Sequence, residues 1–289
     1  MIKLGLNVPN FGPAASPGEM RDWVTFARDA GFALAMVSDH VAVTPDVAEI
    51  YPPPFYDPFT TLAWMAGWAD GIELGTTVTI LPYRHPLLTA SMAAALDEFT
   101  GGRFVLGVAA GWAAGEFAAL GLPFEDRGRM SEEYLAAIRS ALRDEVVSAD
   151  GTFVRYSDVA TGPARHPRIW VGGTANAVLR RAARYGDAWH PNNAPIDWIR
   201  DVGLPRLRSH SPHTAFCPRM RARVAGHDLP ADRPAGVGGL DQVVGDFRAL
   251  IELGAEYVVL DTNPDHPRDR RPAAEDRRAL AAIAGRLLR

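Results

Sequence analysis

Ile2-Lys3-Leu4-Gly5-Leu6-Asn7-Val8 sets Ile2, Leu4, Leu6 and Val8 against Lys3, Gly5 and Asn7, the period-two pattern of a strand with two different faces. Ser16-Pro17-Gly18-Glu19 then offers a capping box with proline at the first helical position. Met20, Trp23, Val24, Ala27 and Ala30 follow at helical spacing, and Gly31 stops the run. Phe32 to Val37 is continuously apolar, as expected of a strand covered on both faces in a parallel sheet. Strand, helix and strand together make one unit of an alternating α/β chain.

The alternation continues outward from that unit. Asp57-Pro58 starts a helix to Ala69, Ile72 to Leu81 reads as a strand, a helix runs from Pro86 to Phe99, and Arg103 to Val108 is the next strand. Further strands are expected at Arg168 to Val171, Ala188 to His190, Thr214 to Val224 and Tyr257 to Leu260. Eight strand-helix units close a barrel, so the expected fold is an α/β protein of the (β/α)8 TIM-barrel class. Barrels of this kind routinely reach about 250 residues as one unit, so residues 1–289 read as a single domain. Pro123 to Gly128 reads as a turn-rich insertion and Gly151 to Tyr156 as a small extra strand, both where barrel enzymes shape their mouths.

Composition narrows the class of function. Hydrophobic residues make up 47% of the chain and the net charge is -4, which suits a globular enzyme with a large core and gives no basic stripe for nucleic acid. Arg268, Arg270, Arg271, Arg277 and Arg278 form the nearest basic cluster and read as a solvated helix face. The lone Cys217 excludes an intrachain disulfide and a multi-cysteine metal site and fits a reducing cytoplasm. The N-terminus lacks the pattern of a secretory signal, and no apolar stretch approaches the ~18 residues of a membrane span, so a cytoplasmic protein without a membrane partner is expected.

Barrel chemistry sits at the C-terminal ends of strands and the loops after them. That rule selects Ser38-Asp39-His40, Thr76 to Ile80, Gly107 to Trp112 and Gly172-Gly173-Thr174, which should converge on one mouth. His40 is the sharpest candidate because imidazole gives and takes protons near neutral pH, although a lone strand-end histidine also has a structural reading. Gly172-Gly173-Thr174, between a strand and an alanine- and arginine-rich helix, fits either a plain turn or a phosphate cradle at a helix start. Dinucleotide, Walker, zincin and nucleophile-elbow motifs are missing. The remaining histidines, His85, His166, His190, His210, His213, His227 and His266, show no ligand spacing, so no metal is expected.

Several stretches together resemble the luciferase-like monooxygenase superfamily. They are Leu4 to Gly12, Ser38-Asp39-His40, Leu74 to Val78, Pro82-Tyr83-Arg84-His85-Pro86, Gly101 to Val108, Gly111-Trp112 with Glu116-Phe117, Arg168 to Gly173, and Tyr185 to Pro191. The likeness is strong to about Met130 and weak between Asn192 and Gly238. The wording is most similar to probable coenzyme F420-dependent oxidoreductases. The resemblance implies a bacterial-luciferase-like barrel with a deazaflavin ring across its mouth and the ring's phosphate on Gly172, Gly173 and Thr174. Asp39 and His40 would then approach the ring's polar edge and reactive carbon, and Thr76, Thr77, Val78 and Ile80 would back its other face. Gly111 and Trp112 would border the ring as well. A non-proline cis peptide is implied at about Thr77 to Val78. Trp112 stands where related sugar-phosphate dehydrogenases carry a proton-donating glutamate, which argues against sugar oxidation and offers either an apolar wall or plain packing.

Three readings stay open on the sequence. The first is hydride transfer between coenzyme F420 and a small organic substrate, with His40 as proton relay. The second is an FMN-dependent monooxygenase using reduced flavin and oxygen. The third is a barrel that binds cofactor without turnover. Arg84 and the Arg180-Arg181 pair are conceivable partners for the acidic tail that only F420 carries. The resemblance also implies a homodimer through helices two and three, where Ala63, Ala66, Gly67, Ala90, Ala93 and Ala94 lie beside Trp64 and Trp68; packing of these residues against the barrel is the alternative.

Overall fold

The computed structural model describes residues 2–162, 164–264 and 266–288. Eight parallel strand positions run around a barrel in chain order: β1 Lys3–Asn7, β2 Leu34–Val37, β3 Glu73–Thr76, β4 Phe104–Ala109, β5 Arg168–Gly172, β6 Ala188–His190, β7 in two pieces, Ala215–Phe216 and Arg219–Arg221, and β8 Tyr257–Asp261. Every pairing between neighbours is parallel. β2 and β8 are buried along their whole length, as their unbroken apolar runs require.

Three elements differ from the sequence expectation. The run Ile72 to Leu81 is not one strand. β3 ends at Thr76, Thr77–Val78 is a cis peptide where the resemblance places one, and Thr79–Ile80 resumes pairing with β4 before a 3-10 turn at Leu81–Tyr83. Gly107 on β4 admits this path, since a Cβ there would sit on the Thr76 carbonyl oxygen. Thr214 to Val224 is likewise broken. Ala215–Phe216 pairs with β6, and Arg219–Arg221 pairs with β8. Between them Cys217 N–H donates to Trp189 O while Pro218 O accepts from Val259 N–H, so this segment closes the barrel.

The third difference lies in the insertion before β5. Gly151 to Tyr156 is not itself a strand. Val146–Asp150 and Arg155–Ala160 form an antiparallel hairpin, and the Glu133 carboxylate accepts the N–H groups of Thr152, Phe153 and Val154 in its turn. The Pro123 to Gly128 extension is a single 3-10 turn, Phe124–Asp126, leading into helix Arg127–Arg143.

The first helix, Pro17–Asp29, starts as its sequence dictates, with Ser16 Oγ accepting Glu19 N–H at 3.1 Å. The other half of the capping box does not form, because the Glu19 carboxylate pairs with Arg277 at 2.8 Å. Arg277 also lies over Trp23, Arg270 over Phe11, and Arg271 donates to Val224 O. Much of the C-terminal arginine cluster therefore packs inward on the first helix and β1 side instead of forming a solvated face. Helices Pro58–Ala66 and Pro86–Phe99 contribute Leu62, Met65, Ala90, Ala93 and Leu96 to the core. No helix among the described residues is long and apolar enough to cross a membrane.

Candidate functional site

The C-terminal ends of β2 to β7 surround a cavity of about 360 Å3, within the roughly 300–1,000 Å3 of small-ligand sites. Asp39, His40, Thr77, Val78, Ile80, Gly111, Trp112, Gly172, Gly173 and Thr174 all line it, so the sequence-selected loops do converge. Thr76 does not line it. Its hydroxyl donates to Gly107 O at 2.7 Å within the sheet, and the residue is fully buried.

Ser38-Asp39-His40 is fixed by side chains from the neighbouring loops. Asn10 accepts Ser38 N–H through Oδ1 at 3.0 Å and returns Nδ2 to Ser38 O and Tyr56 O, both at 2.8 Å. Asp39 turns its carboxylate into the wall. Oδ2 accepts Ile80 N–H at 2.9 Å and Arg84 Nη1 at 2.7 Å, and Oδ1 accepts Arg84 Nη2 at 3.0 Å. Burial pushes this carboxyl up, and the bidentate guanidinium works against that push. Asp39 thus fixes Ile80 and Arg84, and its oxygens do not face the cavity. Arg84 extends to Asp57 at 2.7 Å, which commits its guanidinium inside the protein.

His40 faces the cavity from a ring of aromatic neighbours, Tyr51, Phe55 and Trp112, with centroids 5.2–5.8 Å away. Trp112 is 45% exposed, the mouthward wall of that ring. On the far side His40 Nδ1 lies 2.6 Å from the Glu116 carboxylate, which is itself fully buried. Glu116 also accepts Val41 N–H at 2.5 Å, Ala42 N–H at 2.9 Å and the Tyr83 hydroxyl at 2.7 Å. Burial works against the carboxylate, but His40 and these donors outweigh it and hold the carboxyl below its usual range.

A second buried network makes the floor. His190 Nδ1 lies 2.5 Å from Cys217 O, and a carbonyl only accepts, so Nδ1 carries the proton. Nε2 then accepts from the Thr77 hydroxyl at 2.9 Å, and Thr77 in turn receives Arg219 Nη1 at its carbonyl (2.7 Å) and hydroxyl (3.3 Å). Arg219 is paired with Asp261, whose other oxygen accepts from Asn7 and Asn263. Burial, with the Arg219 charge beside it, lowers the His190 pKa to about 4 from its usual 6.5. The unfolded chain therefore binds the extra proton between those two values, so this contribution to stability is complete above pH 6.5 and is lost as pH falls toward 4. The expected loss from this group at pH 5 is on the order of 2 kcal/mol, read as the amount by which the parent's decline from pH 7 to pH 5 exceeds that of His190→Gln.

The turn after β5, Gly172-Gly173-Thr174, lines one part of the cavity. Gly173 has φ +122°, and a side chain at Gly172 would press on Val78 and on the carbonyls of His190 and Val108. Helix Asn176–Tyr185 begins directly beyond, and no side chain caps it. Its first N–H groups lack intrahelical partners by construction, which suits an anion. The two flanking cations differ. Arg181 is buried against Gly128 O and Glu132, whereas Arg180 is exposed.

Sequence reading missed Glu116, His190, Arg219, Tyr51 and Asn192 as site residues, and the structure places all but Glu116 on the cavity lining. Glu116 and His190 lay within the stretches that carry the family likeness, which was their only signal. Among the described residues no group of three or more His, Cys, Asp or Glu is placed to hold a metal.

The chain is similar to known proteins in sequence and in fold. The chain is 34% identical over 136 residues to the FMNH2-dependent dimethylsulfone monooxygenase of Pseudomonas putida, covering 44% of this chain and 38% of that one. It is 31% identical over 214 residues to the phthiodiolone/phenolphthiodiolone dimycocerosates ketoreductase of Mycobacterium bovis, covering 71% of this chain and 52% of that one. The chain thus spans about half, or less, of the length of these relatives. In fold it is similar to the coenzyme F420-dependent tetrahydromethanopterin reductase of Methanopyrus kandleri, with TM-score 0.77, 17% identity and coverage of 99% and 98%. The family model for the luciferase-like monooxygenases matches residues 3–212, and the chain belongs to that family.

Proposed function

We propose that the protein passes hydride between coenzyme F420 and an organic carbonyl or the corresponding alcohol, with His40 moving the proton. One observation carries this reading. An imidazole held from behind by a buried carboxylate opens its other edge onto a cavity walled by Val78 and Ile80 and ended by the glycine turn. The cavity fits the group. It offers an apolar wall for a tricyclic ring, a turn of two glycines whose backbone carries no side chain, and an uncapped helix start for a phosphate.

When bound, the cofactor would supply the carbon that gives or takes hydride. Val78 and Ile80 would lie against the ring, Gly172 and Gly173 would let the backbone approach the phosphate, and Trp112 would shield the substrate from water. The His40 imidazole takes the proton of an alcohol, or returns it to the oxygen of a carbonyl, so that no charged oxygen is left in an apolar site. Arg180, exposed on the helix that follows the glycine turn, is the cation this reading assigns to an acidic tail. The same reading pairs two copies through helices Pro58–Ala66 and Pro86–Phe99, where Leu88 and Phe99 are exposed.

A second reading, oxygenation with reduced FMN, is favoured by the likeness to the dimethylsulfone monooxygenase. Fluorescence titration of the purified chain with F420 and with FMN separates the two. The proposal expects tighter F420 binding and cofactor turnover with carbonyl acceptors in the absence of oxygen. Tight FMN binding with oxygen consumption would overturn it, and binding without turnover on any acceptor would leave a non-catalytic barrel. Gly173→Val should weaken cofactor binding about tenfold or more, because a branched side chain is strained at φ +122° and obstructs the backbone's approach to phosphate, with the helical content unchanged by circular dichroism. Equal affinity in variant and parent removes the phosphate from that turn.

A further inference from the structure

We propose that Glu116 is a positioning residue that decides which nitrogen of His40 meets the substrate. The inference rests on the reading of His40 as proton carrier and concerns a residue that does not touch the substrate. An ionised carboxylate can only accept hydrogen bonds, and Glu116 accepts from Tyr83 and from the Val41 and Ala42 backbones. At 2.6 Å, His40 Nδ1 must therefore be the protonated nitrogen. Nε2 makes no hydrogen bond among the described residues and is left to the cavity that His40 lines.

The contacts fix more than the tautomer. Val41 and Ala42 directly follow His40, so the carboxylate that holds the ring also holds the backbone carrying it. Glu116 stands on helix Ala114–Ala119 after β4 and reaches across to the loop after β2. Ring and loop are thereby set as one body. In the alcohol-oxidising direction the O–H proton passes to Nε2 while hydride leaves the carbinol carbon for the cofactor. The imidazolium so formed lies against a carboxylate that already bears the opposite charge. In the reducing direction the same proton returns from Nε2 to the carbonyl oxygen. A reversed tautomer, with its proton on Nε2, could not accept in the first direction.

The test reads the tautomer directly, in the cofactor-free full chain, by long-range 1H–15N correlation of the histidine rings, with the His40 signals assigned by their loss in His40→Asn. The parent should show a protonated Nδ1 and a bare Nε2. In Glu116→Gln the amide oxygen keeps the Val41 and Ala42 donors while its NH2 faces Nδ1, so the proton should move to Nε2. Turnover in the alcohol-oxidising direction should then fall on the order of 100-fold with cofactor affinity retained. Tyr83→Phe leaves the carboxylate in place and should keep the parent tautomer. A bare Nδ1 in the parent overturns the proposal even if Glu116→Gln fails to fold. So does an unreversed tautomer in Glu116→Gln at any rate, or a reversed one with unaltered alcohol oxidation. Should the parent show the expected tautomer yet no F420 turnover, the functional reading fails and the placement of the proton stands.

Discussion

His40→Ala should leave the barrel folded and the cofactor bound while turnover drops on the order of 100-fold or more, the scale of a lost general acid or base. The fold is expected to survive because the ring borders the cavity, so truncation enlarges an existing space and opens no new void in the core. Glu116 keeps its bonds from Val41, Ala42 and Tyr83, so the loop stays anchored. The glycine turn and the Val78–Ile80 wall, proposed to hold the cofactor, are separate parts of the cavity lining and keep their side chains in the variant. The measurement is steady-state turnover alongside a binding titration on the same preparation. A rate equal to the parent's removes His40 from the chemistry.

Asp261→Ala should cost about 3–5 kcal/mol of folding stability, the usual penalty for stripping one partner from a buried pair. Arg219 is 7% exposed and Asp261 3% exposed, so water cannot replace the lost carboxylate. The substitution would also strand the donors that Asn7 and Asn263 now direct at it. Against a total of roughly 5–15 kcal/mol for folded domains, the effect should appear as a large fall in the urea midpoint at unchanged slope. The double variant Arg219→Met with Asp261→Leu removes both charges and should recover most of the loss. A loss below about 1 kcal/mol in the single variant would mean that the pair does not carry the floor.

The barrel was legible where one local signal dominates. β1 alternates, β2 is an unbroken apolar run, and Ser16-Pro17 starts its helix as a cap should. Legibility failed where pairing partners change within one apolar stretch. Thr214 to Val224 reads as a single strand, yet Ala215–Phe216 faces β6 and Arg219–Arg221 faces β8, a switch set by barrel closure and invisible to periodicity. Gly151 to Tyr156 reads as a strand because its β-prone residues hide the hairpin turn that the Glu133 carboxylate holds from the preceding helix.

The site followed the same division. The loops that line the cavity could be named because barrel topology puts all strand ends together. The direction of individual side chains could not. Asp39 is adjacent to His40 in the chain but serves Arg84, whereas Glu116, 76 positions away, is the group that touches the imidazole. Long-range ion pairs of this kind are fixed by folding, and no local pattern announces them.

The floor beneath the cavity has a fixed polarity. It begins at a guanidinium that can only give hydrogens and ends at a carbonyl that can only receive them, with Thr77 and His190 between. No hydrogen in that line can reverse its sense without leaving an atom at one end unsatisfied. The line is therefore a rectified array of dipoles and a poor conductor of protons, although it contains an imidazole. On the proposed reading, traffic of protons to and from a substrate is confined to the opposite bank, and the histidine that holds the floor's shape is separate from the one assigned the chemistry.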